Sequence, residues 1–197
     1  MTHYFENNTD LISNKRKLKL FINDRELYFW SDVGVFSNSK IDYGSFVFLK
    51  TLLQEDSKST VLDVGCGYGV LGITLKIFDL CQHVDMVDIN QRAVDLCNEN
   101  IKYYNLNDAN CFVSDGFNNV SKKYDMIVIN PPIRAGKAVI YKMFEDSKNY
   151  LNTNGALYIV IKKDLGAPSA KNKLQEIYKN VEVINKNNGY WIIKSND

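Results

Sequence analysis

Asn130-Pro131-Pro132 closes an apolar run, Tyr124-Asp-Met-Ile-Val-Ile129. A strand that stops there presents acceptor oxygens and few donors, because neither proline carries an N–H. The following proline also pushes Asn130 towards an extended backbone. The product is a stiff acceptor pair, the Asn130 side chain and the Pro131 carbonyl, suited to hold a planar –NH2 group. An isolated Asn-Pro-Pro reads as a rigid turn. Here three upstream motifs shift the reading towards chemistry, with Asn130 and Pro131 as the catalytic candidates.

The first is Val61-Leu-Asp-Val-Gly65-Cys-Gly67-Tyr-Gly69-Val-Leu-Gly72, a Gly-x-Gly-x-Gly loop. Alternate glycines let the backbone turn tightly and let a ligand come within contact distance. The spacing differs from the Gly-x-Gly-x-x-Gly dinucleotide fingerprint, and Asp63 ahead of it would repel a pyrophosphate. A carboxylate there can instead help to position an ammonium group, directly or through water. Asp88 follows Gly65 by 23 positions (88 − 65), at the end of the run His83-Val-Asp-Met-Val-Asp88. An acid so placed can accept both hydroxyls of a ribose. Ser114-Asp115-Gly116 then offers a side chain to an adenine amino group and a backbone N–H to a ring nitrogen.

These residues need elements that bring them to one edge, and the pattern supplies them. Residues 60–64, 83–88, 110–113 and 124–129 read as strands, with helices over 70–78 and 91–104 between them. Each motif stands at the carboxyl end of a strand, the edge where open α/β sheets bind ligands. A helix is expected over 43–53, with Phe46, Val47, Leu49, Leu52 and Leu53 as its apolar stripe. Downstream come a helix (137–150), a strand (155–162), a helix (169–179) and two strands (181–185 and 189–194) joined by Asn187-Asn188-Gly189. Residues 17–22 and 26–30 alternate apolar and polar around Asn23-Asp24-Arg25 and predict a β-hairpin. The βα alternation argues a mostly parallel sheet flanked by helices, with an antiparallel last strand.

On these motifs the chain resembles class I S-adenosylmethionine (SAM)-dependent methyltransferases. It is more closely similar to the small-domain family of ribosomal RNA small subunit methyltransferase C, guanine-N2 methyltransferases of 16S ribosomal RNA. The resemblance runs from about residue 28 to the end. Three stretches carry it beyond the general motifs: Gly34-Val-Phe-Ser-Asn-Ser-Lys-Ile-Asp42-Tyr-Gly44-Ser45, Asn130-Pro-Pro-Ile-Arg-Ala-Gly-Lys137 and Lys162-Lys-Asp-Leu-Gly-Ala-Pro-Ser-Ala-Lys171. The resemblance implies a Rossmann-like seven-stranded α/β fold plus the N-terminal hairpin. It implies that Asp63, Gly65, Gly67 and Gly69 line the methionine part of SAM, with Asp88 on the ribose, Asp115 on the adenine and Asn130 on the target amine. Cys66, Ile89 and Gly116 complete the expected cofactor contacts, in which Asn130 also shares. Phe36, Pro132, Ile133, Arg134 and Lys137 are the expected substrate contacts.

Ile133 departs from relatives that place an aromatic residue after Asn-Pro-Pro, where it can stack on the target ring. That argues against adenine N6 and glutamine N5 as acceptors. The family's larger members carry an additional N-terminal domain that this sequence does not show, so substrate docking is expected to differ. A small-molecule or protein methyltransferase, and a non-catalytic RNA-binding module on the same fold, are the alternative readings.

Composition sets the outer bounds. With 197 residues the chain is expected to form one methyltransferase domain over 17–197 behind a flexible segment, 1–16. No apolar run approaches the roughly 20 residues of a membrane span, and the N-terminus lacks a signal-peptide pattern, so a cytoplasmic enzyme is expected. Cys66, Cys81, Cys97 and Cys111 are spaced 15, 16 and 14 apart without a Cys-x-x-Cys pair, which argues against disulfides and a metal. Two histidines, His3 and His83, give a histidine-based triad little material. The net charge is +1, but Lys15-Arg16-Lys17 with Lys19, and Arg134, Lys137, Lys162, Lys163, Lys171 and Lys173, are available to meet ribosomal RNA or the small subunit. Phosphate contact is expected of Arg134 and Lys137 in particular. The sequence leaves the oligomeric state open.

Overall fold

Alternation builds the first elements of the computed structural model, which describes residues 12–197. Strands β1 (Arg16–Ile22) and β2 (Arg25–Ser31) bury every second side chain, among them Leu18, Leu20, Ile22, Leu27 and Phe29. They pair antiparallel through Asn23 and Asp24, both at positive φ, a two-residue turn that suits the twist of a hairpin. Arg25, expected in that turn, pairs with Ile22 as the first residue of β2. The expected flexible segment lies largely outside the described residues. Of its described part, Ser13 and Asn14 hydrogen-bond to the Asp32 carboxylate.

Among the described residues a second sheet of seven strands has the order β5-β4-β3-β6-β7-β9-β8. β3 (Lys58–Val64), β4 (Cys81–Asp88), β5 (Ala109–Val113), β6 (Tyr124–Ile129) and β7 (Leu151–Lys162) run parallel. β9 (Tyr190–Asn196) lies antiparallel between β7 and β8 (Asn180–Asn187). This is the expected Rossmann-like arrangement with its antiparallel last strand and the hairpin beside it. Central strands such as β6 are apolar on both faces because helices cover both.

One layer holds α1 (Tyr43–Leu52), α2 (Val70–Ile77) and α3 (Gln91–Tyr103), together with the hairpin. The other holds α4 (Lys137–Ser147) and α5 (Ala167–Ile177). The hairpin docks through polar groups as well as apolar ones. Asn100 of α3 accepts from Trp30 N and donates to Trp30 O, so its amide stands in for a further strand along β2.

The differences from expectation have local causes. β7 starts at 151 rather than 155, and its pairing with β6 shifts register between Tyr124 and Met126, where Asn154 has positive φ. α4 stops at Ser147, and 148–150 tighten into a 3-10 turn. α5 begins two residues earlier than expected because Pro168 fits its first turn.

Candidate active site

The strand order reverses beside β3, where chain segments leave β3, β4 and β6 towards opposite faces. A cavity of about 420 Å³ opens there, at the carboxyl edge of the sheet. That is within the usual range of small-ligand sites, about 300–1,000 Å³.

The glycine loop forms one wall. Gly65 and Gly67 have positive φ, and a Cβ at either would meet no atom within 4 Å, so both open onto the cavity. Gly69 is different. A Cβ there would stand 2.6 Å from the Cys97 Sγ, so this glycine serves packing of α2 against α3 and does not line the cavity. Gly65 N and Cys66 N donate to Val87 O at 2.8 and 3.0 Å, which ties the loop to β4. Asp88 continues that tie, accepting from Gly67 N and Asn90 N at 2.9 Å each. A carboxylate has about four acceptor positions, so Asp88 keeps capacity towards the cavity it lines. Burial pushes its carboxyl up to about 6, against those backbone bonds, which favour the charged form.

Asp63 lies behind the loop, fully buried, rather than on the cavity wall. One oxygen accepts from Gly72 N at 3.0 Å, and the other has no partner among the described residues. Burial raises this carboxyl to about 7, with the neighbouring Cys111 and Asp88 adding to the rise. With no partner for that oxygen, burial favours the neutral carboxyl, and a cationic ligand nearby would favour the charged form.

Cys66 is also buried under the loop. Its sulfur is 3.7 Å from that of Cys111, and the sulfurs of Cys66, Cys97 and Cys111 lie within 4.8 Å of one another. All four cysteines are free thiols. Hydrogen bonds from Cys66 and Cys97 hold the Cys111 thiol below its usual range. The three come from a loop, a helix and a strand, so the sequence spacing concealed their convergence.

The far wall belongs to the turn after β6. Asn130, Pro131 and Pro132 all line the cavity. Asn130 Nδ2 donates to Ser45 Oγ at 3.0 Å and to Asp42 Oδ2 at 3.2 Å. Pro132 O accepts from Ala135 N at 2.8 Å, whereas the Pro131 carbonyl has no hydrogen bond among the described residues. Phe36, 39% exposed, and Ile89, which follows Asp88 at the end of β4, also line the cavity. Away from Asn130, at the end of β5, Asp115 and Gly116 line the cavity.

Ile133, Arg134 and Lys137 do not line the cavity. Ile133 packs half-buried against the α4–α5 core, while Arg134 and Lys137 are exposed on the rim, in the 3-10 turn 133–135 and at the start of α4. Sequence reasoning missed the α4 wall, made by Val139, Lys142, Met143 and Asp146. Their i, i+3, i+4, i+7 spacing was a visible signal of one helix face. It also missed Asp42 and Ser45 as partners of Asn130, although an Asp immediately ahead of an apolar helical run is a helix-start signal.

The methyltransferase small domain family matches residues 26–194. This chain belongs to that family. It is 39% identical over 195 residues to the uncharacterized protein YbxB of Bacillus subtilis, covering 98% of this chain and 97% of that protein. It is 37% identical over 139 residues to ribosomal RNA small subunit methyltransferase C of Aliivibrio fischeri strain ES114, covering 68% of this chain but 40% of the relative. Among solved structures, a T. thermophilus 16S rRNA N2 methyltransferase, RsmC, in complex with AdoMet and guanosine superposes with a TM-score of 0.81 at 24% identity. That match covers 92% of this chain and 50% of the RsmC chain. A ribosomal protein L11 methylase from Lactobacillus delbrueckii matches with a TM-score of 0.65 at 18% identity, so the fold itself is shared across acceptor classes.

As a member of the methyltransferase small domain family the chain is a SAM-dependent methyltransferase. The cavity suits that cofactor on its own chemistry. It offers glycines with no Cβ in the way and, on adjacent strand ends, the carboxyls of Asp88 and Asp115, which answer to hydroxyl and amino groups of a ligand.

Proposed function

We propose that this enzyme methylates an exocyclic amine, guanine N2 of 16S ribosomal RNA, and that Asn130 with Pro131 holds the amine. The observation that supports this most is a pair of acceptors on the cavity wall: the Asn130 side chain, whose amino end is already bound, and the unpaired Pro131 carbonyl. The kinship with ribosomal RNA small subunit methyltransferase C favours ribosomal RNA as the acceptor class.

When bound, SAM supplies an electrophilic methyl group on a sulfonium. Gly65, Gly67, Asp88, Ile89, Asp115 and Gly116 would hold it, all on the cavity wall. Asp63 would act from behind the loop, through its field or a bridging water, and Cys66 and Gly69 by shaping the loop. A guanine amine is a poor nucleophile because its lone pair is delocalised into the ring. Two acceptors on its N–H bonds favour a pyramidal nitrogen, and the attraction grows as positive charge develops there. Only such growth accelerates the reaction. The proton leaves afterwards to water or an adjacent acceptor, without an obligatory general base. Phe36 and Pro132 would pack on the base, with Ile133 beneath. Arg134 and Lys137 on the rim would meet phosphates.

Tritiated methyl transfer from SAM to unmodified 16S rRNA, naked and in 30S subunits, followed by nucleoside analysis, tests the proposal. Labelled N2-methylguanosine is expected. SAM binding without transfer to either RNA would move the acceptor to a small molecule or a protein.

A further inference from the structure

We infer that Asp42 and Ser45 lock the Asn130 amide in one orientation, so that this end of the site accepts hydrogen bonds and does not donate them, which selects a primary amine. The inference rests on the amine-holding role given to Asn130 above.

The argument is a count of protons. Asp42 caps α1: its Oδ2 accepts from Ser45 N at 2.8 Å and from Ser45 Oγ at 2.9 Å, and its Oδ1 accepts from Gly44 N at 3.2 Å. A carboxylate has no proton to give. The single Ser45 hydroxyl proton is therefore committed to Asp42, and Ser45 Oγ meets Asn130 only as an acceptor. Asn130 is left with two neighbours that both require its NH2 end, at 3.0 and 3.2 Å. Turning the amide over would set Oδ1 against a carboxylate oxygen and a hydroxyl with no free proton. Ser45 is 4% exposed, so no solvent proton rescues that state cheaply.

With its NH2 end held, Oδ1 is the end of the amide left for the cavity that Asn130 and Pro131 both line. Two acceptors match the two N–H bonds of an exocyclic amine. A ring nitrogen, a carbonyl or any other group that needs a donor finds none from this amide. The selection begins in α1, 85 and 88 residues away from Asn130 in the chain. Asp42 and Ser45 are thus positioning residues, acting through Asn130 without touching substrate.

Ser45→Ala tests this, because Asp42 keeps its cap bond to the backbone N of residue 45. Removing one of two acceptors should lower kcat about tenfold, the size of one lost hydrogen bond. The SAM Kd by calorimetry and the melting temperature should stay close to wild type, which a merely structural role would not predict. Asn130→Ala should lower kcat at least about a hundredfold, and Ser45→Ala in that background should cost less than about twofold more. Asn130→Ala inactive with Ser45→Ala at full kcat would overturn the lock and leave the amine-holding role standing. An equal Ser45→Ala loss in both backgrounds would also overturn it. Full activity of Asn130→Ala would instead overturn the amine-holding role, and the lock with it.

Discussion

Asp63 and Asp88 carry the most informative charges of the site, because burial raises both and a cationic ligand would reverse that. In the free protein their carboxyls sit near 7 and 6, above the value of about 3.9 expected for an unfolded chain. The folded state then holds protons that the unfolded state has released. Their contribution to stability is full below about pH 4 and is lost as pH rises through 6 to 7. Asp32, Asp85 and Asp125 are shifted downwards, so what they contribute is present above about pH 4 and lost only below it. The ligand-free protein should therefore melt at falling temperature between pH 5 and 8, and Asp63→Asn should flatten that slope in a thermal scan. SAM affinity should rise over the same interval in the wild type, and less in Asp63→Asn, when measured by titration calorimetry. Asp88→Ala should weaken SAM binding at least about tenfold at pH 8, since it removes the acceptor proposed for the ribose as well as two bonds that shape the loop. Asn130→Ala should bind SAM as the wild type does. At this scale Asp88, Asp115 and Asn130 were legible because each stands where a strand ends. Asp42 was not, because its cap bonds are local whereas its bond to Asn130 is a tertiary contact that no spacing encodes.

The elements were legible wherever burial is periodic. β6 matches its apolar run at both ends, and the two hairpins follow from Asn-Asp and Asn-Gly turns at positive φ. The start of β7 was not legible, because Asn152-Thr-Asn154-Gly155 carries turn residues while its backbone still pairs with the sheet. Gly155 explains how it does so. A Cβ at this position would lie 2.9 Å from Tyr124 O and 3.0 Å from Asn152 O, both backbone atoms that cannot swing away. Gly155→Ala should therefore cost about 1–3 kcal/mol, read from urea midpoints at unchanged m-value. It should also blunt activity by less than it lowers stability, since β7 lies next to β6 and Asn130 stands in the turn after β6. A variant as stable as the wild type would mean that the irregular pairing has room for a side chain. The glycine loop shows the opposite case: Gly65 and Gly67 face open space, so substitution there should damage ligand approach and backbone geometry more than packing.

Across the molecule, the net charge of +1 argues for recognition by a local set of cations instead of a general field. Arg134 and Lys137 are the pair proposed for phosphate contact. Both are exposed on the rim, neither enters the cavity, and no ion pair among the described residues engages either. Lys173, by contrast, already bridges Glu145 and Glu176, and its pairing lowers its value as a phosphate contact. Each phosphate neutralised releases counterions, so the logarithm of RNA affinity falls linearly with that of salt concentration. Arg134→Ala with Lys137→Ala should weaken RNA binding and make that slope shallower by about 2, one for each lost contact. SAM binding, confined to the cavity, should hold its affinity in the same salt series. The two slopes separate the functions of rim and cavity in one protein preparation. A double variant with the wild-type RNA slope would show that the RNA backbone is met elsewhere. The cluster on the hairpin, where Lys17 stands over Tyr28 and Tyr103 at 4.9 Å, would then be the next surface to neutralise. It lies on the α3 side of the sheet, so RNA docked there would have to wrap around that layer to present a base beside Asn130.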